Sequence, residues 1–167
     1  NKGYIQNEVK KIPKWVILMN RKIFLNKSKK FNSFKKVFLD RSTSKFNHCK
    51  ISNQSSLNNW LKKNSFGIYT PEKLSQEKQI YLFKNASIIL GAHGAALTNI
   101  IFCKPGTKVI EIIPADHPNK KCERISKILK LKYFRIKTKP DNSDKNFPFK
   151  IHLNKRHLKI INDKINL

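Results

Sequence analysis

Short apolar runs recur along this chain, separated by longer stretches whose apolar residues fall three and four apart. The runs are Val37-Phe38-Leu39, Phe66–Tyr69, Ile88-Ile89-Leu90, Val109–Ile113 and Tyr133–Ile136. Their length suits strands, and the apolar run Ile88-Ile89-Leu90 suits a parallel strand covered on both faces. Between them the period is helical. Trp15–Met19 with Ile23–Leu25 fits an amphipathic helix or a strand, with the helix favoured. Asn53 predicts an N-cap ahead of Leu57, Trp60 and Leu61. Ser75 predicts another cap, before Ile80, Leu82 and Phe83. Residues 95–102, residues 119–131 (with Ile125, Ile128 and Leu129 on one face) and residues 152–165 complete the helical set. Residues 1–13, 26–35, 40–48 and 138–148 read as polar lead-in or loop.

Strands that alternate with helices in this way predict βαβ units. The fold class is α/β, a Rossmann-like parallel sheet with helices on both faces. No internal repeat and no second domain is visible. Residues 1–34 read as a lead-in, the remnant of an upstream part, and residues 35–167 as the domain. The first residue is Asn1, with no initiator Met and no signal-like segment, so the chain reads as a piece of a longer protein.

Composition changes this picture little. With 39% hydrophobic residues in 167, one ordinary core is expected. No apolar run is long enough for a transmembrane helix. The net charge of +26 invites a nucleic-acid reading. However, it comes from 31 Lys and only 5 Arg spread over the whole chain, and Lys, Asn and Ile supply 70 of the 167 residues. That bias is what AT-rich codons produce. Arg, the residue suited to bidentate phosphate and base recognition, is scarce, so no specific nucleic-acid partner is expected. Cys49, Cys103 and Cys122 are odd in number and lack a CxxC spacing, which indicates neither a structural zinc site nor a redox pair; Cys103 suits a small hydrophobe at a helix end, and a reducing compartment is favoured.

The candidate chemistry concentrates at Gly91-Ala92-His93-Gly94-Ala95-Ala96, where strand 86–90 turns into helix 95–102. So little side-chain bulk lets backbone N–H groups approach a ligand, and a helix N-terminus favours an anion. This predicts a phosphate or diphosphate site at the carboxyl end of a strand. His93 is the one imidazole in that turn. Arg41, at another strand's carboxyl end, is either an anion ligand or a surface cation. Glu111 interrupts an apolar strand, where an unpaired carboxylate would be costly, so it must bond ribose hydroxyls or nearby backbone. Thr98, Asn99 and Gln79 are candidates for the site or for local backbone bonding.

These residues resemble glycosyltransferase family 61. Gly91-Ala-His-Gly-Ala-Ala-Leu-Thr-Asn99, Pro105-Gly106-Thr107 and Val109-Ile-Glu111-Ile112 resemble its central motif. Phe38-Leu39-Asp40-Arg41-Ser42, Asn53, Phe66, Pro71-Glu72-Lys73-Leu74-Ser75, Gln79 and Phe83 resemble its upstream strands and helices in the right order. The family includes protein O-mannose and EGF-domain N-acetylglucosaminyltransferases and plant xylosyltransferases.

The resemblance implies the C-terminal, donor-binding half of a GT-B-type enzyme. Such an enzyme transfers a sugar from a nucleotide diphosphate, expected to be UDP, to a glycan or protein hydroxyl with inversion. No cofactor or metal is expected, in keeping with the lack of an Asp-x-Asp. Arg41 and His93 would be the catalytic contacts. Arg41, His93, Gly94, Ala95, Ala96, Thr98, Asn99 and Glu111 would hold the donor, and an upstream domain would complete the acceptor cleft. In place of the family's second Arg the chain has Lys45 or Lys50, and Ala96 stands where Gly is usual. A non-catalytic nucleotide-binding module and a basic nucleic-acid-binding protein are the alternatives. A bacterial cytoplasm is the expected compartment, or the secretory-pathway lumen if the protein is eukaryotic.

Overall fold

A computed structural model describes residues 12–43, 49–115, 117–141 and 150–167. Five parallel strands form one sheet: β1 (Lys36–Leu39), β2 (Phe66–Tyr69), β3 (Ile88–Ala92), β4 (Lys108–Pro114) and β5 (Lys132–Thr138), in the order β2-β1-β3-β4-β5. Val37 pairs with Ile89, Ile89 with Val109 and Val109 with Tyr133. The central β3 is buried along its whole length, and β4 at all but its first residue. This accounts for their continuous apolar sequence.

Strand alternation divides the core in two. Val37, Leu39, Ile89 and Val109 face α1 (Lys14–Phe24), α3 (Gln76–Asn85), a 3₁₀ helix (Ala95–Phe102) and α4 (Lys121–Ile128). Phe38, Ile88, Leu90, Ile110 and Ile112 face α2 (Gln54–Lys63) and α5 (Lys155–Asn166). The expected α/β sheet with helices on both faces is therefore present. Helix α1 belongs to the packed structure: Ile17 is buried, and Arg21 donates to the carbonyls of Ile101 and Cys103, the latter at 2.9 Å. Those carbonyls lie at the C-terminal end of the 3₁₀ helix, where a helix leaves backbone acceptors without intrahelical donors. No helix among the described residues is long and apolar enough to cross a membrane.

Several local expectations change. Residues 95–102 form a 3₁₀ helix, closed by bonds from Leu97 to Gly94 and from Cys103 to Ile100. Leu97, Ile100 and Cys103 are all fully buried, and this spacing of three suits the 3₁₀ period. Asn53 precedes α2, yet its side chain makes no cap bond. Instead it donates to the Leu153 carbonyl (2.7 Å) and accepts from the Leu153 amide (3.1 Å). Ser75 caps α3 as expected, accepting from Lys78 N–H. Helix α4 is shorter than residues 119–131. The expected loop 138–148 begins with β6 (Pro140–Asp141), which pairs antiparallel with β7 (Lys150–Ile151).

Candidate functional site

The chain leaves β1 on one side of the sheet order and β3 on the other, so the crevice between their carboxyl ends is the topological switch point where such sheets bind ligands. The two motifs singled out above meet here. After β1, Asp40 accepts from the Ser42 amide (2.9 Å) and the Ser42 hydroxyl (2.8 Å), closing an Asx turn that fixes Arg41. After β3, the His93 amide extends the sheet by donating to Ile112 O at 2.8 Å. A β-carbon at Gly94 would lie 1.3 Å from Arg41 Nη1 and 2.3 Å from Cζ. The guanidinium thus rests against the bare Cα of Gly94, 53 positions away in sequence. Gly94 is extended, at φ 164° and ψ 178°, so its role is to leave space and not to adopt a left-handed backbone.

Beneath the turn lies a buried polar cluster. One oxygen of Glu111 (1% exposed) lies 2.6 Å from His93 Nδ1, within hydrogen-bond distance, and its other oxygen accepts from the Tyr133 hydroxyl. Burial alone would raise the Glu111 carboxyl, but the bonds from His93 and Tyr133 outweigh it and hold the group below its ordinary value. Burial, and then the Glu111 charge, raise the Tyr133 phenol and the Cys122 thiol. The His117 ring lies 4.2 Å from that of His93, and the His117 carbonyl accepts from Arg135 Nη2 at 2.6 Å.

The other predicted residues lie around this centre. Ala95 is exposed, and Ala96 and Thr98 are half-buried. Asn99 donates to Gln79 Oε1 (2.8 Å), and Gln79 in turn donates to the carbonyls of Pro71 (2.9 Å) and Leu74 (3.0 Å). These bonds tie the 3₁₀ helix to the loop after β2. Lys45 lies outside the described residues, and Lys50 is half-buried. Tyr133, His117 and Cys122 did not stand out in the sequence. Tyr133 reads as one more strand residue until sheet pairing sets β5 beside β4. A separate cavity of about 620 Å³ opens at the β5 edge among Lys137, Lys139, His152 and Arg156. It contains none of the motif residues, and the switch-point crevice is the better candidate because the paired chemistry is there.

Comparison with known proteins agrees with these motifs. The family model described as Glycosyltransferase 61 matches residues 4–110, well over half of the 167-residue chain. A Beta-1,2-xylosyltransferase of Arabidopsis thaliana is 38% identical over 60 residues, covering 36% of this chain and 11% of the relative. Beta-1,2-xylosyltransferase RCN11 of Oryza sativa subsp. japonica is 35% identical over 63 residues, 38% of this chain and 12% of its own length. The Xylan glycosyltransferase MUCI21 of Arabidopsis thaliana is 40% identical over 48 residues, 28% and 10% respectively. The matched segments span about a tenth of each relative. On the strength of the family match, the chain belongs to glycosyltransferase family 61.

Proposed function

We propose that this chain is the donor-binding part of a glycosyltransferase that moves a sugar, a pentose in the first instance, from UDP to a glycan or protein hydroxyl. The observation that carries the reading is the Arg41 guanidinium seated on Gly94 at the switch point. A cation held there by a turn and a close-packed glycine is placed to accept a diphosphate. The acceptor oxygen would attack the anomeric carbon while the bond to the diphosphate oxygen breaks, inverting the centre. The leaving group would take the electron pair, and Arg41 with the backbone N–H groups after Gly94 would stabilise its charge. The acceptor's proton would go to a base supplied outside the described residues.

The enzyme would pair this domain with an upstream one in a GT-B arrangement and would work without a metal. The plant relatives support a secretory-pathway compartment over a bacterial cytoplasm.

Calorimetric titration with UDP, GDP and ADP, without added metal and near physiological salt, tests the reading. Saturable binding of UDP that is lost in Arg41→Ala is expected. A folded chain that binds no nucleotide, or whose binding survives Arg41→Ala, would refute it.

A further inference from the structure

The buried cluster makes a second statement about His93. An ionised carboxylate has no proton to give, so the group facing Glu111 Oε1 must be the donor. That group is His93 Nδ1, 2.6 Å away. The other oxygen receives the Tyr133 hydroxyl. The reverse arrangement, with a protonated Glu111 donating to a bare Nδ1, works against the forces already described. Two side chains converge on this carboxyl, His93 on one oxygen and Tyr133 on the other, and their bonds lower its proton affinity against the effect of burial.

We propose that Glu111 and Tyr133 are positioning residues that lock His93 as the Nδ1–H tautomer, so that the neutral ring is basic at Nε2. Tyr133 acts through Glu111: it occupies Oε2 and so commits Oε1 to the imidazole. Parallel pairing makes this possible. Val109 lies opposite Tyr133, and Gly91, two residues before His93, lies opposite Glu111. All three side chains therefore fall on the face that α4 covers.

The consequence concerns which ligand atom His93 can meet. A neutral ring with its lone pair on Nε2 accepts from a hydroxyl and has no proton there for a phosphate oxygen. Arg41 is then left to the diphosphate, and His93 suits a sugar hydroxyl. This use of the polarity rests on the donor-site reading above, whereas the tautomer itself does not.

The test is ¹⁵N-histidine NMR of the 167-residue chain, titrated until His93 is neutral, with its signals assigned by their loss in His93→Gln. The wild type is expected to show a protonated-type shift at Nδ1 and a lone-pair-type shift at Nε2, a preference of roughly ten-fold or more for a bond to a charged partner. Glu111→Gln offers one oxygen to two donors. Tyr133 retains it, the amide NH₂ faces Nδ1, and the tautomer reverses. Adding Tyr133→Phe frees that oxygen for His93 and restores Nδ1–H, a rescue that a purely space-filling role would not produce. An Nε2–H tautomer in the wild type overturns the proposal, and so does a Glu111→Gln spectrum unchanged at His93. If Glu111→Gln does not fold, the wild-type tautomer still decides. None of these spectra requires a nucleotide to bind, so failure here is separable from failure of the donor-site reading.

Discussion

Replacing Gly94 with alanine isolates the contact on which the proposed donor site depends. The new β-carbon would lie 1.3 Å from Arg41 Nη1, 2.3 Å from Cζ and 3.0 Å from Nη2. Ordinary carbon–nitrogen contact begins near 3.4 Å, so the guanidinium must withdraw by roughly 2 Å, a displacement large against the ~1 Å that costs positioned groups about 100-fold. The backbone is no obstacle, because an extended residue with φ 164° accepts any side chain. The obstructing atoms are the far end of a flexible chain, which moves without disturbing the core. Stability should therefore change by less than about 1 kcal/mol, as for a surface substitution.

UDP affinity should fall much further. Losing a hydrogen bond to a charged group costs about 1.5–3 kcal/mol, or ten- to a hundred-fold and more in Kd. Calorimetric titration and urea denaturation on the same samples read the two quantities. The double variant sharpens the test. With Arg41→Ala already present the clash is gone, and Gly94→Ala should cost nothing further in UDP affinity. Unchanged UDP binding in Gly94→Ala, a loss of several kcal/mol in stability, or additive losses in the double variant would each refute the argument.

Three other outcomes follow from the same structure. Glu111→Leu strands the His93 and Tyr133 donors in the core and should destabilise the fold by about 2–4 kcal/mol in urea, against about 1 kcal/mol for Tyr133→Phe. Asn53→Ala removes both bonds to the Leu153 backbone and should cost about 1–2 kcal/mol, with faster amide exchange in α5 than in β3 or β4. Burial raises the Cys49 thiol to about 12, and it also raises Cys103 and Cys122. The folded state thus keeps protons that the unfolded chain releases above the ordinary thiol range. Stability should fall as pH rises past 9, by about 1 kcal/mol per thiol near pH 10. Glu111 acts in the opposite sense: its depressed value contributes stability above the ordinary carboxylate range, which is lost as pH falls through the folded value. Urea midpoints at pH 4, 7 and 10 check both signs.

Local sequence determined the periodic elements of this protein. Five short apolar runs became the five sheet strands, because each is too short for a helix and the central ones, β3 and β4, are too apolar to be exposed. Ser75 capped α3 because capping is a bond across three residues. The bare turn at 91–96 marked a candidate ligand-binding strand end because small residues there leave little side-chain bulk over the backbone. Tertiary structure decided what depends on neighbours distant in the chain. Asn53 bonds Leu153 across 100 positions instead of capping its own helix. Residues 95–102 wind as 3₁₀ because their buried contacts recur every third residue against the sheet.

The site shows the same division. Arg41, His93, Gly94 and Glu111 were legible as chemistry in the wrong place for a core. Their arrangement was not, since a guanidinium resting on Gly94 and a carboxylate shared by His93 and Tyr133 arise only when β1, β3, β4 and β5 lie side by side. Residue type and spacing fix what a segment is able to become, because those forces act within a few residues. Which donor meets which acceptor is set by strand order and register, and those are settled by burying both faces of the whole sheet at once.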